Sequence, residues 1–152
     1  MTRTLQFFVA GVPIPKGSTK SFAIKSKKTG KYRAVTTAAN NKTKPWQQEI
    51  AFAAAREKQL SGIRKTDLWG GPITLTIHFG MKKPVRHPKR HSIPHITKPD
   101  LDKLERTVLD ALTDVVYFDD AQVNEVHKRK EYSDKPGITL TIERKGGEVF
   151  EV

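Results

Sequence analysis

Two pairs of aspartates, Asp100 with Asp102 and Asp119 with Asp120, stand in a chain whose formal net charge is +12. Carboxylates that converge to about 4 Å repel by about 4 kcal/mol per pair at an effective dielectric of about 20, so a converged set needs a counter-charge. Oxygen ligands without cysteine suit Mg²⁺, with Mn²⁺ as a substitute. Beside a polyanion, such a cation would polarise a phosphate oxygen and activate water, so these residues predict a metal site for phosphodiester hydrolysis.

Both pairs also have an ordinary structural interpretation. Asp100 follows Pro99 at a predicted helix start, where a carboxylate accepts free backbone N–H groups and complements the helix dipole. Asp119 and Asp120 would equally suit a turn between a helix and a strand. Neither pair by itself decides between a cap and a ligand, so the sequence leaves both interpretations open.

The helix expected to position the first pair runs over residues 101–115. Its apolar side chains recur at spacings of three and four, which predicts one buried face. Asp102 and Arg106 lie four residues apart on the flank of that face, and the strand that follows can bring Asp120 back beside them. The members of the apolar stripe are Leu101, Leu104, Val108, Leu112 and Val115.

Periodicity also places the remaining elements. Alternating apolar residues predict strands, and an alanine-rich run with the spaced apolar residues Trp46, Ile50, Ala53 or Ala54, and Leu60 predicts an amphipathic helix. In two layers, a mixed β-sheet would pack against two main helices as a single α/β domain over residues 1–152. In chain order the elements are a strand at 4–10, a basic hairpin arm at 21–37, a helix at 44–60, strands at 72–80, 122–133 and 137–145 with a turn at 134–137 between the last two, and a loose tail at 145–152.

A loop at residues 81–98 carries positive charge and no acidic residue, and its three prolines exclude a continuous helix or strand. With the net charge of the chain, it predicts contact with a nucleic-acid backbone. The hairpin arm could also lie on DNA or be a solvated edge, and Phe22, Tyr32 and Trp69 could stack on unpaired bases or form local core. The cations of the loop are Lys82, Lys83, Arg86, Lys89, Arg90 and Lys98.

Composition and spacing exclude or disfavour several other chemistries. The chain has no cysteine, which excludes disulfides and thiolate metal sites. His87, His91 and His95 recur every four residues, but prolines between them prevent the helix that a zinc face would need. Residues 11–17 lack the spacing of a phosphate-binding loop, and no pattern indicates an organic cofactor. The apolar run at the N-terminus is too short to span a membrane, so we expect a cytoplasmic protein without membrane contact.

The block "KPDLDKLERTVLDAL" at 98–112, followed by "DDAQV" at 119–123, resembles the signature of the RusA-type crossover junction endodeoxyribonucleases, which are Holliday-junction resolvases. The segment "GVPIPKG" at 11–17 resembles the family more weakly. The similarity covers most of the chain. It implies that the catalytic, metal-binding aspartates are Asp100, Asp102 and Asp120, with Asp119 as a helper.

Two positions depart from the family pattern. Where the family has a lysine four residues after the second aspartate, this sequence has Arg106, which keeps a cation near the phosphate but does not release a proton. Where the family often has asparagine directly after that aspartate, this sequence has Lys103. Lys103 therefore joins the candidate DNA-binding residues, or is a solvated residue of the helix.

The resemblance further implies a Mg²⁺-dependent homodimer that makes paired nicks in opposing strands of a four-way DNA junction, in recombination and repair. Such enzymes are often carried by phages and prophages. The residues by themselves leave two alternatives open. One is a non-catalytic basic DNA- or RNA-binding module whose aspartates are caps and turns, and the other is a nuclease that prefers flaps or forks.

Overall fold

In the residues that it describes, the computed structural model has six strands and two α-helices in the order that the periodicity predicts. It describes residues 3–17, 19–38, 41–85 and 94–146, and the side chains in these ranges except those at 19–22 and 34–38. The elements are β1 (Arg3–Ala10), β2 (Thr19–Lys25), β3 (Tyr32–Ala38), α1 (Thr43–Leu60), β4 (Ile73–Lys82), α2 (Leu101–Leu112), a single 3-10 turn (Asp120–Gln122), β5 (Val123–Ser133) and β6 (Gly137–Arg144).

Four strands form one mixed sheet in the order β1-β6-β4-β5. In β4, Ile73, Leu75, Ile77 and Phe79 are buried and Thr76 is exposed, as the alternation predicts, whereas Thr74 is buried against the alternation. β4 pairs in parallel with β5 and antiparallel with β6. Because parallel neighbours need a crossover, α2 serves as the connection of a β4-α2-β5 unit. The predicted two-layer α/β class is therefore confirmed.

The last two strands are not partners of each other. The chain reverses at residues 134–136, as predicted, but β4 lies between β5 and β6 in the sheet. Gly137 begins β6 opposite Ala10 and Gly80. A Cβ atom at Gly137 would lie 2.5 Å from the carbonyl oxygen of Val9. Only glycine permits this approach of backbones, which lets the short connection pass the end of β4.

The buried face of α1 differs from the prediction at its last turn. Trp46, Ile50, Ala54 and Lys58 are buried at intervals of four, whereas Leu60 is 71% exposed. Lys58 Nζ donates to the carbonyl oxygens of Lys65 at 3.2 Å, Asp67 at 2.7 Å and Val115 at 2.8 Å. The prediction for Leu60 was wrong because three backbone acceptors make a lysine the better buried residue there. Burial lowers the pKa of Lys58.

The helix α2 ends at Leu112, three residues earlier than predicted. Asp114 has φ 64°, the left-handed region, which turns the chain away from the helix. The Tyr117 hydroxyl donates to the carbonyl of Leu109 at 2.8 Å, and Tyr117 is fully buried. The core under this end of α2 is therefore filled by residues after the turn, and burial raises the pKa of Tyr117.

The predicted hairpin arm is a separate two-stranded antiparallel sheet of β2 and β3. Every side chain from Ala23 to Arg33 is exposed. Of the tail predicted at residues 145–152, residues 147–152 lie outside the described part of the chain. Neither helix in the described ranges has the length and apolarity needed to cross a bilayer.

Candidate active site

Asp100 occupies the N-cap position of α2 without acting as a cap. Its backbone is extended, with φ −68° and ψ 143°, but its carboxylate accepts no capping hydrogen bond from the described first turn. Lys103 Nζ lies 3.9 Å from Asp100 Oδ2, a long ion pair. The half-exposed carboxylate of Asp100 is therefore available to a ligand, unlike that of a capping aspartate.

The backbone before Asp100 is held against β5. Lys130 Nζ donates to the carbonyl oxygens of Thr97 at 2.6 Å and Pro99 at 2.7 Å. His95 precedes Thr97 by two residues; its ring is buried, and its centroid lies 4.9 Å from that of the Tyr132 ring. Burial, and then the charge of Lys130, lower the pKa of His95. These contacts fix the path by which the chain enters α2.

A cleft of about 540 Å³ lies along α2. Asp102 and Arg106, one helical turn apart, line it from α2, and Asp120 lines it from the 3-10 turn. Lys103 and Lys16 add two further cations. The structure thus brings Asp120 to the same cleft as Asp102 and Arg106, across 18 residues of chain that include the rest of α2.

Each polar residue of the "DDAQ" segment has a separate position. Asp119 caps the 3-10 turn, since its Oδ1 accepts from the N–H of Ala121 at 2.9 Å. Gln122 is buried; its Oε1 accepts from the N–H groups of Phe118 and Asp119, and its Nε2 donates to two carbonyl oxygens. These carbonyls belong to Trp69 and Gly71. Asp120 is left exposed at the cleft, held by the turn around it.

Negative charge is crowded around Asp120. Its pKa is raised, first by a hydrogen bond with the Asp119 side chain, then by desolvation and by the charges of Asp119 and Asp110. Arg106 acts in the opposite direction. A cation bound beside Asp120 would offset the repulsion from these carboxylates and favour the ionised form of Asp120.

The donors at this cleft fit Mg²⁺ in kind, because they are carboxylate oxygens. Within the described ranges, however, no three acidic or histidine side chains are gathered closely enough to hold one ion. Asp100 lies in an adjoining groove of about 470 Å³, which shares Gly17 and Lys103 with the cleft. The cleft thus offers Asp102 and Asp120, with Asp100 beyond Lys103. Glu105 also lines the cleft, but its carboxylate forms an ion pair with Lys128 at 2.6 Å.

Comparison with known proteins decides the family. A family model described as endodeoxyribonuclease RusA matches residues 13–143, most of the chain. The chain belongs to the RusA endodeoxyribonuclease family. It is also similar to "Uncharacterized protein YqaN" of Bacillus subtilis (strain 168), with 27% identity over 147 residues that cover 91% of this chain and 94% of that protein. The resemblance of the sequence to RusA is confirmed, and a nuclease that acts on DNA is the class of activity that the family gives.

The candidate DNA-binding cations of this RusA-family chain differ in the solvent exposure of their side chains. Lys82 and Lys98 are exposed, and the exposed Lys103 lines both grooves. The side chain of Lys83 is only 9% exposed and forms an ion pair with Asp134, so it has a structural role as well. Arg86, Lys89, Arg90, His87 and His91 lie outside the described residues.

Sequence reasoning about this RusA-family chain missed Lys16. The segment at 11–17 lacks the spacing of a phosphate-binding loop, yet it places Lys16 in the cleft. The signal was present, because Lys16 is the one cation of the family-like segment "GVPIPKG". Among the aromatic residues, Trp69 is buried at 2% exposure, which agrees with the local-core alternative for this residue, whereas Tyr32 is exposed. The side chain of Phe22 is outside the described part.

Proposed function

We propose that the protein is a Mg²⁺-dependent, structure-specific endodeoxyribonuclease that resolves four-way DNA junctions by paired hydrolysis of phosphodiester bonds. In each incision the oxygen of a water molecule joins phosphorus, one bond from phosphorus to a sugar oxygen breaks, and that oxygen leaves with a proton. Mn²⁺ would substitute for Mg²⁺. The reaction would serve DNA recombination and repair, in keeping with the family.

The observation that carries this proposal is the mixture of charges in one cleft. Asp102 and Asp120 present carboxylates that are not used as caps, and Arg106 lies beside them. Asp119, by contrast, is engaged by a backbone N–H. A phosphodiester needs both kinds of group, because a metal ligand set must be anionic while the phosphate itself needs cations.

Each residue would act through its own chemistry. Asp102 and Asp120 would hold the metal, with Asp100 added from the N-cap of α2 and Asp119 as a helper. A bound Mg²⁺ supplies a Lewis acid for the phosphate and lowers the pKa of a bound water. Arg106 would donate hydrogen bonds to non-bridging phosphate oxygens. Since arginine stays protonated, Arg106 would stabilise charge and leave proton transfer to water.

The wider surface would supply affinity that does not depend on base sequence. Two incisions in opposing strands need two clefts, so we propose a two-fold homodimer with one site in each subunit. The cations that would contact the DNA backbone are Lys82, Lys83, Arg86, Lys89, Arg90, Lys98 and Lys103.

The decisive experiment is cleavage of a labelled synthetic four-way junction with Mg²⁺, with Mn²⁺ and with EDTA. The proteins compared are the wild type, Asp102→Asn and the control Asp114→Asn. Asp114 is exposed and has positive φ, a conformation that asparagine tolerates, so the control changes charge equally outside the cleft. We expect Asp102→Asn to lose more than roughly 100-fold in rate, the upper end for outer-sphere partners of metal ligands.

Binding is measured on the same samples, and a flap and a fork are cleaved in parallel. Asp102→Asn should bind the junction at least as tightly as the wild type, because it removes a negative charge. Binding without metal-dependent cleavage of any substrate would contradict the proposal and favour a non-catalytic module. Faster cleavage of flaps or forks than of the junction would transfer the activity to those substrates.

A further inference from the structure

The loop between β1 and the hairpin arm presents Lys16 to the cleft from outside α2. The N–H of Lys16 donates to the carbonyl of Lys103 on α2 at 3.0 Å. One residue earlier, the carbonyl of Pro15 accepts from the hydroxyl of Thr43 on α1 at 2.9 Å. Pro13 and Pro15 further restrict the backbone by fixing φ. The loop is therefore held to both helices, and the position of Lys16 is defined by backbone contacts.

The ammonium group of Lys16 is also held at its tip. Lys16 Nζ lies 2.5 Å from Asp110 Oδ2, and the lysine side chain remains 47% exposed. An exposed pair of this kind contributes little to stability, of the order of 0–1 kcal/mol. Asp110 is the next residue on the flank of α2 after Asp102 and Arg106, at spacings of four. The ion pair thus directs a lysine along the same flank that carries the candidate site.

We propose that Lys16 is a second phosphate-contacting cation of this active site, and that Asp110 is the residue that positions it. The inference rests on the proposed nuclease function. An ammonium group has three N–H donors, and a hydrogen bond to Asp110 requires only one of them. The other two serve a non-bridging oxygen of the scissile phosphate. Hydrolysis places additional negative charge on those oxygens in the transition state, so a fixed cation there accelerates cleavage more than it tightens binding.

Single-turnover cleavage at saturating protein tests this assignment with Lys16→Met, Lys16→Arg and Asp110→Asn. The control is Lys145→Met, which removes another exposed lysine from an ion pair with a carboxylate, that of Glu125. We expect Lys16→Met to cut the bound junction at least roughly tenfold more slowly, equivalent to about 1.4 kcal/mol. Lys16→Arg should recover part of the rate, and Asp110→Asn should lose less than Lys16→Met. Lys145→Met should cut bound DNA at the wild-type rate.

A junction with sulfur in place of one non-bridging oxygen separates contact from mere support of the fold. In the wild type, one of the two sulfur diastereomers should cleave more slowly through loss of the Lys16 contact, and this difference should shrink in Lys16→Met. The melting temperature should not change. The inference is overturned if Lys16→Met changes only the Kd, or if its rate falls together with its melting temperature and with the sulfur effect intact.

Failure of the broader proposal has a different signature. A wild-type protein that cuts no DNA with Mg²⁺ or Mn²⁺ overturns both the nuclease function and the role of Lys16. If the wild type cuts flaps or forks faster than the junction, the Lys16 variants are compared on that preferred substrate, and the same outcomes decide the role of Lys16. A wild type that cuts the junction while Lys16→Met cuts it equally fast overturns the role of Lys16 alone.

Discussion

At the scale of single residues, the adjacent aspartates Asp119 and Asp120 have different chemical environments. Asp119 accepts a backbone N–H and caps the 3-10 turn, while Asp120 receives the resulting crowding of negative charge. The choice between cap and metal ligand, which the sequence left open, therefore has a different answer for each of the two residues. A cap and a candidate ligand stand side by side, and the stability of the metal-free protein distinguishes them.

We predict that Asp120→Asn stabilises the metal-free protein at neutral pH. The folded pKa of Asp120 is raised above the ordinary value of 3.8. Such a group contributes stability below its unfolded pKa, and this contribution is lost as pH rises through the folded pKa. The melting temperature in EDTA should therefore be higher for Asp120→Asn near pH 7, and the difference from wild type should shrink as the pH falls through the raised folded pKa and below the ordinary value of 3.8. Added Mg²⁺ should raise the melting temperature of the wild type only.

Matched changes at Asp119 test its role as a cap. Asp119→Asn loses the same charge but keeps a side-chain oxygen for the cap, whereas Asp119→Ala loses the cap and should be less stable than Asp119→Asn by about 1 kcal/mol. Urea unfolding in EDTA measures both differences. Equal stability of the two Asp119 variants would contradict the capping role.

At the scale of elements, a buried amide holds the turn that carries Asp120. Gln122 joins the backbone after α2 to the strand-like segment at Trp69 and Gly71 through four hydrogen bonds. Since these partners are backbone groups far apart in sequence, the position of Asp120 depends on packing between α2, the 3-10 turn and the start of β4. The same logic applies to Lys58, whose three carbonyl partners come from two separate segments.

We predict that Gln122→Leu lowers the free energy of unfolding by at least about 2 kcal/mol, because buried backbone groups lose their partners. The same change should slow DNA cleavage, because the turn that carries Asp120 is no longer fixed. The control is Asn124→Leu, at an exposed position two residues further on. Urea unfolding and single-turnover cleavage measure the two effects. Equal stability of the two variants would show that the amide does not hold the turn.

At the scale of the whole molecule, positive charge extends well beyond the cleft. The formal net charge is +12, and the hairpin arm exposes Lys25, Lys27, Lys28 and Lys31 on a separate sheet. The sequence left two interpretations of the arm open: it contacts DNA, or it is a solvated sheet edge. Salt dependence decides between these, because each phosphate contact releases counterions.

We predict that changing the four lysines of the arm to glutamine weakens junction binding and makes its salt dependence shallower. The slope of log K against log salt should fall by about 0.9 for each lysine that contacts phosphate. The control changes Lys44, Arg56, Arg64 and Lys65 to glutamine, four exposed cations on and beside α1. Titration of labelled junction at several salt concentrations measures both. Equal losses in the two variants would assign the affinity to total charge and not to the arm.

Sequence patterns determined the elements and the family. The alternation in β4 and the spacing of Leu104, Val108 and Leu112 are local, and the structure contains both elements. The "DLD" and "DDAQV" segments predicted the RusA family, which the match over residues 13–143 confirms. These features could be read because periodicity and short motifs depend on residues close together in the chain.

Tertiary structure alone decided which side chains meet. The contact between Lys16 and Asp110 joins residues 94 apart, and no local pattern indicates it. The exchange of Leu60 for Lys58 in the core depends on carbonyl groups of segments that fold against α1. The separation of Asp100 from Asp102 into adjoining grooves follows from the turn of α2, because side chains two residues apart do not face each other once the helix begins. Contacts of this kind arise only when distant segments pack.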